Sequence, residues 1–209
     1  MLVIAGQSNA VPVGDTLAYH YKKLTGNEIY IIKCAKAGSA LNAKAETNNW
    51  GNWSPSGNLL DASFDEIDKR LSFIYPPYNK EDAIKAIIWS QGENDGEAIG
   101  KGILTAEEYK ADLKNLILEY RKRYGSTLPF IIIETGRHAA CMECDEGYTV
   151  VRKIQGEVAN EDAHTYIGYN ETKHFIERKW LKDPVHYNQE ALNDIGKKLA
   201  QFMVANGIQ

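Results

Sequence analysis

Leu2-Val3-Ile4-Ala5-Gly6-Gln7-Ser8-Asn9 sets four apolar residues directly before a glycine and three polar side chains. The apolar run is short and unbroken, the pattern of a strand covered on both faces. Gly6 permits a tight turn straight after it. A serine on such a turn is held by the strand end while its hydroxyl faces the space beyond the sheet.

Runs of the same kind lie at residues 29–33, 84–89 and 130–134, with a weaker fifth at Thr165-Tyr166-Ile167. The segments between them read as helices. Phe64, Ile67, Leu71 and Ile74 share a helical face, as do Tyr109, Leu113, Leu116, Ile117 and Tyr120. Thr105-Ala106-Glu107-Glu108 is a capping-box pattern, and Gly125 marks the stop of that second helix. Val150, Val151, Ile154 and Val158 give another helix, and Leu192, Ile195, Leu199 and Phe202 the last, for which Asn188 suits the N-cap. Strands alternating with helices predict one domain over residues 1–209: a three-layer α/β/α sandwich with a five-stranded, mostly parallel sheet. Ligands of such sheets sit at the carboxyl ends of the strands. Residues 39–58, rich in Asn, Gly, Ser and Trp, form the longest irregular segment, and a loop of that length in a compact domain is usually functional.

Composition bounds the partners. The chain has 209 residues, 44% hydrophobic and 25% charged, with a net charge of -4, which argues against nucleic acid or an anionic membrane as main partner. No apolar run reaches the roughly 18 residues of a membrane span. The N-terminus lacks a basic region followed by an apolar stretch and cleavage site, so the chain reads as no precursor. Compartment and oligomeric state stay open.

A serine hydroxyl is a poor nucleophile at neutral pH. It needs a base within hydrogen-bond reach, and the base needs an orienting partner. Asp183-Pro184-Val185-His186 offers both just before the last helix: His186 as base, Asp183 as its partner, Pro184 to stiffen the turn. Ser8, Asp183 and His186 are the candidate catalytic residues, and Gln7 is a supporting one.

Four blocks now stand in order: Gly6-Gln7-Ser8-Asn9, Gly38 within Ala35-Lys36-Ala37-Gly38-Ser39, Gln91-Gly92-Glu93-Asn94-Asp95, and Asp183 to His186. Together they resemble the blocks of the SGNH hydrolases. The first and third look most like the branch that holds sialate O-acetylesterases and plant-type acetylxylan esterases. The resemblance implies a flavodoxin-like fold and removal of O-acetyl groups from a carbohydrate, an acetylated polysaccharide or sialic acid, with no metal or organic cofactor. It also implies an oxyanion hole built from the backbone N–H groups of Ser8 and Gly38 and a side-chain amide of the third block. Gln91 and Asn94 both carry an NH₂ donor; the reading leans to Gln91, with Asn94 nearby. Glu93 is a second carboxylate near His186 or a buried anchor, against the plainer reading of a solvated or turn-capping acid. The rivals are another small-ester hydrolase or an acyltransferase on the same triad, and a non-catalytic carbohydrate-binding domain, which an intact Ser8, Asp183 and His186 argue against.

Trp50 and Trp53 in the long loop suit stacking on sugar rings or pinning the loop. Arg137 follows the fourth strand and is a candidate contact for a carboxylate or sugar hydroxyl. Cys141-Met142-Glu143-Cys144, with His138 nearby, falls short of the four ligands of a structural zinc site. No metal is assigned there. A local disulfide ranks above one, beside the plain reading of a loop holding two thiols.

Overall fold

The computed structural model describes residues 1–73 and 83–208. Five strands, β1 (Leu2–Gly6), β2 (Ile31–Lys33), β3 (Ala86–Ser90), β4 (Phe130–Ile133) and β5 (Thr165–Tyr169), form one sheet in the order β2-β1-β3-β4-β5. Every pairing is parallel, with Ile4 of β1 opposite Lys33 on one side and Ile88 on the other. Six α-helices accompany the strands among the described residues: α1 (Val13–Thr25), α2 (Leu59–Phe73), α3 (Glu93–Gly100), α4 (Ala106–Tyr124), α5 (Met142–Glu161) and α6 (Gln189–Ala205).

The unbroken apolar runs are explained by two cores. Val3, Ala5, Ile87, Trp89 and Ile132 point to one face and pack with Phe64 and Ile67 of α2, Leu113 of α4 and Ile154 of α5. Leu2, Ile4, Ile88, Ile131 and Ile133 point to the other and meet Val13 and Leu17 of α1 and Ile195 and Leu199 of α6. Each fully covered Val, Leu or Ile among them contributes about 1.5–3 kcal/mol of transfer free energy. Both capping expectations hold: Thr105 and Glu108 form a reciprocal capping box, and Asn188 caps α6 by accepting from the Ala191 N–H at 3.1 Å.

Some boundaries move. β2 and β3 each begin two residues later than the apolar runs at 29 and 84, and β5 continues through Gly168, which breaks its apolar pattern in sequence. Ile74, expected on the face of α2, lies outside the described residues. Two helices were not singled out by periodicity. The buried apolar face of α1 is only Val13, Leu17 and Tyr21, and α3 has eight residues, two of them glycine. Those glycines serve packing: a Cβ on Gly147 of α5 would overlap the Gly96 carbonyl, so α3 and α5 touch backbone to backbone.

The strand order reverses direction between β1 and β3. In open α/β sheets that switch point opens a crevice at the carboxyl ends of the strands. Ser8 follows β1 and the Gln91–Asp95 block follows β3, so both blocks flank this crevice. No described helix is long and apolar enough to cross a membrane.

Candidate active site

The backbone locks the serine turn before any side chain acts. Gln7 N–H donates to the Ser90 carbonyl at 2.9 Å, and the N–H groups of Ala10 and Val11 fold back onto the carbonyls of Gln7 and Ser8. This presents the Ser8 hydroxyl just ahead of α1. His186 Nε2 lies 2.9 Å from Ser8 Oγ, across 178 residues of sequence. On the opposite side of the ring, His186 Nδ1 lies 2.8 Å from Asp183 Oδ2 and 3.0 Å from Oδ1.

Asp183 is itself held in place. Its Oδ1 accepts the backbone N–H groups of Val185 at 3.0 Å and His186 at 2.7 Å. Partial burial pushes the carboxyl upward, but these two N–H bonds and the His186 ring outweigh it and hold Asp183 down at about 2. A bond from Lys182 N–H to the His186 carbonyl at 2.9 Å closes the loop, and the Asn188 cap ties its end to α6.

Asn9, which sequence reasoning passed over, ties the two ends of the site together. Its Nδ2 donates to Glu93 Oε1 at 2.7 Å and to the Val185 carbonyl at 3.3 Å, while its Oδ1 accepts from Tyr187 N–H at 3.1 Å. The only sequence signal was its place in the opening block. Glu93 is a buried anchor rather than a solvated acid. Burial raises its pKa and the bond from Asn9 works the other way; its Oε2 has no hydrogen-bond partner among the described residues.

The crevice is a cavity of about 640 Å³ lined in part by Ser8, Gly38, Trp50, Glu93, Asn94, Tyr148 and His186, with Gln7 and Lys36 at its wall. Gly38 has φ +73°, and a Cβ there would overlap the Trp50 ring, so only glycine fits beneath that indole. Neither the Ser8 nor the Gly38 backbone N–H is engaged in a hydrogen bond among the described residues. Asn94 Nδ2 donates to the Gly38 carbonyl at 3.0 Å and to Thr47 Oγ1 at 3.3 Å, and its Oδ1 accepts from Gln7 Nε2 at 3.3 Å.

Three expected residues are not brought to this cavity. Gln91 is buried, does not line the cleft, and its amide nitrogen donates to Asp95. Trp53 is buried as well; its Nε1 donates to Ser39 Oγ at 2.9 Å and its ring packs edge-on against Trp89, so it pins the loop. Arg137 is taken up by Asp145, with its Nε 2.8 and 2.9 Å from the two carboxylate oxygens. Trp50 alone of the two indoles stands exposed at the cleft. Asp95, missed as a functional support, is the loop's other fastening. It is completely buried and accepts the N–H groups of Leu41 and Asn42, each at 2.8 Å. Burial pushes its carboxyl up to about 6, against the pull of those donors and Gln91.

Cys141 and Cys144 are joined by a disulfide, and they open α5 rather than lying in a loop.

The comparisons with known proteins agree with this fold. A search of curated protein sequences finds no match. Among solved structures, a protein from Arabidopsis thaliana is similar with a TM-score of 0.71 at 16% identity, over 98% of this chain and 97% of that one. NanS is similar with a TM-score of 0.65 at 13% identity, over 99% of this chain and 96% of its own. A lipase/acylhydrolase from Enterococcus faecalis is similar with a TM-score of 0.64 at 13% identity, over 98% and 95% of the two chains. At such identities the likeness is one of fold. The family is shown by sequence: the model for "Carbohydrate esterase, sialic acid-specific acetylesterase" matches residues 2–205. The chain therefore belongs to this carbohydrate esterase family and is a carboxylic ester hydrolase.

Proposed function

We propose that this protein is a serine esterase that removes O-acetyl groups from a carbohydrate, with Ser8 as nucleophile, His186 as base and Asp183 as its orienting acid. The observation that carries the reading is the unbroken chain Ser8 Oγ, His186, Asp183, with contacts of 2.9 and 2.8 Å. Membership of a carbohydrate esterase family supports an acetylated sugar as substrate.

In the first half-reaction Ser8 Oγ attacks the acetyl carbonyl carbon while His186 Nε2 takes its proton. Asp183, ionised and fixed by two backbone N–H groups, stabilises the imidazolium that forms. The carbonyl oxygen becomes an oxyanion and meets the unengaged N–H groups of Ser8 and Gly38. Asn94 serves as the third-block amide: it holds the Gly38 peptide through its carbonyl, and release of the 3.3 Å bond to Thr47 frees an N–H for the oxyanion. The ester C–O bond then breaks as the His186 imidazolium gives its proton to the departing sugar oxygen, which leaves as a hydroxyl. Water, activated by His186, attacks the acetyl-serine, and acetate leaves as Ser8 regains its proton. The exposed face of Trp50 over Gly38 is the stacking surface for a sugar ring.

Hydrolysis of p-nitrophenyl acetate and of longer-chain esters by wild type and Ser8→Ala tests the reading. It expects acetate esters to be preferred and the variant to be inactive; a preference for long acyl chains contradicts the acetylesterase assignment. Acetate release from acetylated xylan against acetylated sialic acid then separates the substrates.

A further inference from the structure

A second group of side chains gathers at the wall of the cleft, and no step above uses it. Glu97 on α3, His138 on the segment after β4 and Cys144 on the first turn of α5 each bring a ligand atom to within 4.8 Å of the other two. They come from three separate stretches of chain. His138 packs edge-on against the buried Tyr148 ring at 5.8 Å, with its Nε2 3.9 Å from Glu97 Oε1. The other oxygen of Glu97 meets Lys101 at 3.2 Å in an exposed pair of little worth, so the carboxylate is free to turn.

The disulfide decides whether this group can act. With Cys144 bonded to Cys141 there is no thiolate to ligate a cation. Cys141 is the half-buried N-cap of α5 and Cys144 is buried one turn further in. A thiol at a helix N-terminus is stabilised as thiolate and exchanges readily. Cys34 is no competitor, because burial pushes its thiol up to about 12.

We propose that the reduced protein binds a borderline divalent cation, Zn²⁺ above all, through the thiolates of Cys141 and Cys144, the His138 imidazole and the Glu97 carboxylate. Two thiolates, one imidazole and one carboxylate match the donor types and number of a tetrahedral zinc site. The reductant is a dithiol. Its two sulfurs become a disulfide, the Cys141–Cys144 S–S bond breaks, and each cysteine sulfur gains a proton. Zn²⁺ then replaces both thiol protons, which pass to water. Ligation through His138 Nε2 places the ring proton on Nδ1 and gives up the 3.3 Å bond from Ala140 N–H. Because Glu97 also lines the cleft, the bound cation couples redox state to the cavity wall. That coupling rests on the esterase reading; the binding does not.

The test uses the full chain, reduced with a dithiol that is then removed under anaerobic conditions, beside the oxidised protein. Both are titrated with Zn²⁺ and with Co²⁺. The reduced protein is expected to bind one equivalent and to show the thiolate-to-Co²⁺ charge-transfer band, and the oxidised protein is not. His138→Asn and Glu97→Gln should each weaken binding by at least about tenfold, since even outer-shell changes cost that much. Circular dichroism of the oxidised variants checks that they fold. Ser8→Ala should bind as wild type does, so the site and the esterase reading fail separately. No binding by reduced wild type, or an affinity that either His138→Asn or Glu97→Gln leaves unchanged, overturns the proposal.

Discussion

Asn9 Nδ2 donates to Glu93 Oε1 at 2.7 Å, and both side chains are buried. Through the same amide Asn9 also holds Val185 and Tyr187, which flank His186. One residue thus fixes the serine turn, the start of α3 and the histidine segment relative to one another. Asn9→Ala leaves the Tyr187 N–H and Glu93 Oε1 unpaired, at about 1–3 kcal/mol for each buried group. Thermal unfolding should show a lower Tm, and steady-state kinetics a fall in kcat that exceeds any rise in KM. Asn9→Asp should be worse, because it sets a second carboxylate against Glu93.

Asp183→Asn keeps the shape but turns an amide toward His186 Nδ1. An oxygen remains for the backbone N–H groups, while the imidazole loses its anionic partner and its preferred tautomer. The expected fall in kcat is roughly three to four orders of magnitude, as for triads in general. A loss of less than about tenfold, measured with p-nitrophenyl acetate, would remove Asp183 from the mechanism.

Asn94 and Gln91 separate by readout. Asn94→Ala frees the Gly38 peptide and should lower kcat by on the order of 10²-fold with little change in KM. Gln91→Ala removes a buried donor to Asp95 and should act mainly on stability, read by urea unfolding. Gly38→Ala should impair both, since its backbone has φ +73° and the Trp50 ring covers it.

The two aspartates give opposite pH dependences. Asp95 has a folded-state pKa of about 6, above the ordinary value of roughly 3.9. Between these limits the native state binds the extra proton, so its contribution is full below about pH 4 and declines as pH rises through 6. A gap of two units corresponds to about 3 kcal/mol. Urea unfolding of wild type and Asp95→Asn should therefore show the variant's deficit shrinking between pH 4 and pH 7. Asp183, held at about 2, contributes above about pH 4 and loses that contribution only as pH falls through 2.

Much of this was legible in the sequence because strands buried on both faces leave an unbroken apolar signature. Val3 and Ile4 face opposite cores, and both are wholly covered. The serine turn and the Asp183–His186 segment were legible as local chemistry. What sequence hid was direction. Gln91 and Asn94 carry the same amide three residues apart, yet only Asn94, on the first turn of α3, lines the cavity. Trp50 and Trp53 share a loop, but the Ser39 hydroxyl draws one indole inward. Asn9 and Asp95 were hidden for another reason: Glu93, which Asn9 holds, lies 84 residues away, and Leu41, which Asp95 holds, lies 54 residues away, so each pairing exists only once the sheet has formed.

The most direct test of Ser8 as nucleophile is to map the adduct formed with a fluorophosphonate probe by mass spectrometry. One adduct per chain is predicted, on Ser8, absent from Ser8→Ala and formed far more slowly by His186→Ala. An adduct on any other residue, or undiminished labelling of Ser8→Ala, would contradict the proposed mechanism.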